Sequence, residues 1–110
     1  MSVDLSKYAW DGRKVPFIRV FPDGKKVLSE VMRSKEITVM AHHFIAMGGR
    51  FMISKVMDRD RDVEVELIAA TYDNMKQPIE LAREVSDDGP ELMRAVDRLV
   101  RAAHAKILVN

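Results

Sequence analysis

The apolar positions of this chain recur with two different periods, and the switch between them marks its elements. Val15-Pro16-Phe17-Ile18-Arg19-Val20-Phe21 is rich in β-branched and aromatic residues and predicts a strand. Pro16 has no N–H to give to a ladder, which suits a strand start or an edge. Pro22-Asp23-Gly24 is a turn signal, and Lys26 to Met32 reads as the returning strand, although its alternation is poor. Ser34 then stands where an N-cap belongs, before a helix over about 35–47. Its apolar face is Ile37, Met40, Ala41, Phe44 and Met47, and Gly48-Gly49 supplies the stop.

Phe51 to Met57 is another apolar β-type run, followed by the charged loop Asp58-Arg59-Asp60-Arg61-Asp62. Val63, Val65, Leu67 and Ala69 alternate with Glu64, Glu66 and Ile68, the cleanest period-2 pattern in the chain apart from Ile68. Tyr72-Asp73-Asn74 breaks that strand. Pro78 fits the first turn of a helix over about 76–85, with Ile79, Ala82 and Val85 inward. Ser86-Asp87-Asp88-Gly89-Pro90 ends it. Leu92, Val96, Leu99, Val100, Ala103 and Ile107 mark a final helix over about 90–106. Residues 1–14, with Tyr8 and Trp10 before Asp11-Gly12, read as an N-terminal arm or loop. The expected order is β-β-α-β-β-α-α. Its simplest packing is an α+β domain: an antiparallel sheet of about four strands, with three helices mainly on one face.

Composition narrows the function classes. At 110 residues, 47% hydrophobic and 32% charged, the chain has enough apolar surface for one globular domain. It contains no cysteine, which excludes a disulfide framework, a thiolate metal site and a cysteine nucleophile. No apolar run approaches the ~18 residues of a spanning helix. The N-terminus has no basic flank followed by an apolar stretch, so a soluble protein of the cytoplasm, without a membrane partner, is expected.

The formal net charge is +1, low for a protein that lives by neutralising phosphates. Yet residues 1–55 carry 10 basic and 5 acidic side chains, giving +5, while residues 56–110 carry 8 and 12, giving −4. If the sequence halves are also spatial halves, the molecule has a positive and a negative side, a layout that favours complementary self-association.

The motifs that carry chemistry are mostly missing. The run Asp58 to Asp62 spaces carboxylates as a calcium loop does. It holds Val63 where such a loop needs Gly and Ala69 where it needs Glu, and its arginines repel a cation. His42 and His43 are adjacent, so on a helix their rings diverge by about 100°. His104 is remote from both in sequence. Met47-Gly48-Gly49-Arg50 lacks the spacing of a phosphate loop and reads as a helix cap. Glu64 and Glu66 share a strand face without any mark of an acid–base pair. No cofactor is expected.

Three functions remain, in order. The first is a non-enzymatic protein–protein interaction or assembly protein acting as a homodimer or higher oligomer. Phe51-Met52-Ile53 places apolar residues on both faces of one strand, and tryptophan favours interface hot spots, so Trp10, Phe51, Met52 and Ile53 are the expected contacts. The second is a nucleic-acid-binding or regulatory module using Arg13, Lys25, Lys26, Arg33 and Arg50, with Phe17, Phe21 and Tyr8 as stacking faces. The third is a small-ligand binder or enzyme whose site assembles from distant residues, with His42, His43 and Glu66 first to test.

Overall fold

The structure is a computed structural model and describes residues 14–57, 63–87 and 89–109. In chain order its elements are β1 (Lys14–Val20), β2 (Lys26–Met32), α1 (Lys35–Ala46), β3 (Arg50–Met57), β4 (Val63–Tyr72), β5 (Pro78–Asp87) and α2 (Glu91–Val109). The expected α+β class holds, but two features differ from the sequence reading. The described residues form a mixed sheet of five strands, in the order β2-β1-β3-β4-β5, with two helices.

The first difference is the stretch expected as a helix over about 76–85. It is strand β5, running antiparallel to β4 from Glu64–Asp87 to Tyr72–Pro78. Ile79, Ala82 and Val85 do fall at helical spacing, but intrinsic helix preference is a weak prior against pairing with the exposed ladder of β4. The turn between the strands is built for a hairpin. Asp73 Oδ1 accepts from the amides of Met75 and Gln77, the Asp73 amide donates to the Gln77 carbonyl, and Lys76 takes φ 61°. Between the pairs Ala69–Ala82 and Ala70–Glu80, Leu81 is an extra residue, and this bulge turns it against the core. As an edge strand, β5 carries Glu80, Arg83, Glu84 and Asp87, charges that discourage further strand addition.

The second difference is that β1 and β3 pair in parallel, over Ile18–Met52, Arg19–Ile53 and Val20–Ser54. The β1–β2 hairpin places β2 outside β1, and α1 then carries the chain across to β3 on the other side of β1. Parallel neighbours need such a crossover.

Alternation separates two faces. Val15, Phe17, Phe51, Ile53, Val65, Leu67 and Ala69 point to the helices and are buried. They meet Ile37, Ala41, Phe44 and Ile45 of α1, and Ala95, Val96, Leu99, Val100 and Ala103 of α2. Phe51 lies between Phe44 and Phe17, with ring centroids 4.9 and 5.5 Å away. Ser34 caps α1 as expected, its hydroxyl accepting from the Ile37 amide. Arg33 ties the end of β2 to α2 through a two-pronged ion pair with Asp97, both contacts at 2.8 Å.

Candidate functional site

The open sheet face, turned away from both helices, carries a row that crosses every strand. The pairs Leu28–Ile18, Ile18–Met52, Met52–Ile68 and Ile68–Arg83 place these five side chains side by side. Leu28 is 67% exposed, and Ile18, Met52 and Ile68 are half-buried. Among the described residues no helix covers this row. The charges on the face are divided. Its β4–β5 side holds Glu64, Glu66, Glu80 and Asp87 with Arg83, while its β2–β1 side holds Lys14, Lys26 and Glu30. Arg83 bonds Glu80 at 2.6 Å and Glu66 at 2.5 Å, and these hydrogen bonds, Glu80 first, raise its pKa above the ordinary arginine value.

Beside this row the sheet has a gap. Parallel pairing of β1 and β3 begins only at Ile18–Met52, and Pro16 offers no N–H toward β3. The gap is a pocket of about 200 Å³ lined by Pro16, Ile18, Leu28, Ile45, Arg50 and Phe51. Arg50 is held at its rim, donating to the carbonyls of Gly49 at 2.6 Å and Ile45 at 3.3 Å. Gly49 makes this close return possible, because a Cβ there would lie 2.3 Å from the Phe44 ring.

The histidines divide between two places. His42 is buried and its Nε2 donates to the Lys14 carbonyl at 2.9 Å, which ties α1 to β1. His43 faces α2 instead. Its Nδ1 lies 3.0 Å from Nε2 of His104, with the rings 63° apart in an edge-on arrangement. One nitrogen donates and the other accepts. Burial, and then the neighbouring His43, push the His104 pKa below the ordinary histidine value.

Of the expected interface residues, Met52 is on the open face. Phe51 and Ile53 are 1% and 3% exposed and point into the core, because adjacent strand residues face opposite ways. Trp10 lies outside the described residues. The expected basic cluster does not form one patch. Arg13 and Tyr8 lie outside the described residues. Lys25 and Lys26 sit at the β1–β2 turn, whereas Arg33 is at the far end of β2, about 23 Å away by strand rise. Arg33 is engaged by Asp97, whose hydrogen bonds raise its pKa, and Arg50 binds backbone carbonyls. Phe17 is buried, so it offers no stacking face, while Phe21 is exposed. His42, His43 and Glu66 do not converge, since the sheet lies between Glu66 and α1. The charged loop Asp58 to Asp62 is also outside the described residues. No group of three or more His, Asp or Glu placed to hold a metal occurs among the described residues. No described helix is long and apolar enough to cross a membrane.

The sequence carries part of the signal for this open-face row. Ile68 breaks the alternation that runs from Val63 to Ala69, and Ile18 sits between two residues of the other face. The approach of His43 to His104 left no signal, because 61 residues separate them. No protein family matches the chain, and no curated protein or solved structure matches it either.

Proposed function

We propose that the chain is a non-enzymatic assembly protein that self-associates through the open face of its sheet. The observation that carries this reading is the row Leu28, Ile18, Met52 and Ile68, four adjacent apolar side chains on a face that no described helix covers. Two sheets pack face to face about 10 Å apart, with their apolar rows interleaved. The charge layout favours one arrangement. A two-fold axis parallel to the strands stacks β2 of one copy over β5 of the other, so the basic side meets the acidic side. Met52, on the central strand, then meets its own counterpart, and Ile18 meets Ile68.

The chain lacks cysteine, so a single introduced thiol reports cleanly. Native mass spectrometry should find species at whole multiples of 12.6 kDa. Met52→Cys should be joined between two copies by a short bifunctional maleimide, since sheets about 10 Å apart hold the two Cα atoms beyond disulfide reach, while Met52→Asp should give folded monomers whose thermal midpoint no longer depends on protein concentration. A strict monomer at high micromolar concentration overturns the reading.

A further inference from the structure

We propose that His43 and His104 form a two-imidazole site that binds one borderline divalent cation, of the Cu²⁺, Ni²⁺ or Zn²⁺ class, between α1 and α2. This does not depend on the assembly reading, since the pair lies on the helical side of the molecule. The argument begins from the distance. Two imidazole nitrogens on one such ion, each about 2.0–2.1 Å from it at angles between square and tetrahedral, stand roughly 2.9–3.4 Å apart. His43 Nδ1 and His104 Nε2 are 3.0 Å apart. The helices therefore need not move. Each ring needs only to turn about its χ2 torsion so that both lone pairs meet at one point beside the present hydrogen bond, and that torsion is broad for histidine.

The surroundings permit this. Both rings are half-buried, so each keeps an open side for the turn and for water on the remaining coordination positions. The cations nearest in sequence to His104 are engaged elsewhere: Arg101 pairs with Glu36 on α1, and the Lys106 ammonium donates to the Leu81 carbonyl. On binding, the ring that now donates changes tautomer: its proton leaves the nitrogen at the hydrogen bond and its other nitrogen takes one from solvent, so both imidazoles bind the ion as neutral ligands and no net proton is lost. His42 takes no part, because its ring is turned to β1 and binds the Lys14 carbonyl. No third protein ligand is present among the described residues, so the site is open, and imidazole nitrogen selects copper, nickel and zinc over magnesium and calcium.

The test is titration of the full chain with ZnCl₂ and separately with CuCl₂. Imidazole ¹⁵N shifts are followed by NMR and stoichiometry by calorimetry. The expected result is one equivalent bound, Cu²⁺ tighter than Zn²⁺, with zinc shifting Nδ1 of His43 and Nε2 of His104 together while His42 is unmoved. His43→Ala and His104→Ala should each weaken binding about 100-fold, the loss of a second prepositioned ligand. Substoichiometric binding, movement of one of the two rings without the other, or equal affinity in the variants overturns the proposal. The NMR result on the unaltered chain decides the matter even if a variant fails to fold.

Discussion

Replacing Phe51 by Ala separates a core role from an interface role at the position where sequence and structure disagree most. The ring is 1% exposed and is packed between Phe44 and Phe17 with centroids 4.9 and 5.5 Å away. Truncating a buried phenylalanine costs about 3–5 kcal/mol through lost burial and the cavity left behind. Loss of two aromatic contacts places Phe51→Ala in the upper part of that range, about 4–5 kcal/mol. A domain of this size has a total stability of about 5–15 kcal/mol, so the variant gives up about a quarter or more of it. In urea, with m of about 2 kcal/mol/M, the unfolding midpoint should fall by about 2 M. Phe51→Leu keeps most of the volume and should lose about 1.5 kcal/mol, which gives a readable value if the alanine variant does not fold. A loss under about 1 kcal/mol for Phe51→Ala at unchanged m would refute the packing argument. Unchanged stability with lost self-association would return the ring to an interface.

Three further outcomes are expected. Gly49→Ala places a Cβ 2.3–2.6 Å from buried atoms of the Phe44 ring and should cost about 3 kcal/mol in chemical denaturation. A double-mutant cycle on Arg33 and Asp97, whose side chains are 22% and 31% exposed, should give a coupling of about 1 kcal/mol that shrinks in high salt. Lys76→Gly relieves a left-handed φ of 61° and should raise the thermal midpoint, with a gain of about 0.5–1 kcal/mol.

The α1 boundaries, the alternation of β4 and the apolar stripe of α2 were legible because each is set by neighbours within a few residues. Ser34, Gly48 and the spacing of Ile37, Ala41 and Phe44 decide α1 without help from the rest of the chain. Pro78 to Asp87 was not legible in that way. Its local pattern suits a helix, and only the unpaired edge of β4 makes a strand the better solution. The parallel pairing of β1 with β3 depends on the path of α1 over the sheet, which no local pattern encodes. At the candidate sites, Met52 reads together with Phe51 and Ile53, because a continuous apolar run does not say which residues face which way. Arg33 and Arg50 read as basic surface because their partners, Asp97 and two backbone carbonyls, are fixed by tertiary structure.

The short parallel ladder has a mechanical meaning. On one side of it β1 and β2 form one hairpin, and on the other β3, β4 and β5 form a continuous antiparallel meander, registered from Arg50–Ala70 to Tyr72–Pro78. The sheet is thus two rafts lashed together along Ile18–Met52 to Val20–Ser54, with Arg33–Asp97 and Arg101–Glu36 as outer moorings. The moorings across this line are ion pairs. Backbone amides along that line should exchange with solvent before those of the β3–β4 ladder, and added salt should loosen the lashing while leaving each raft intact.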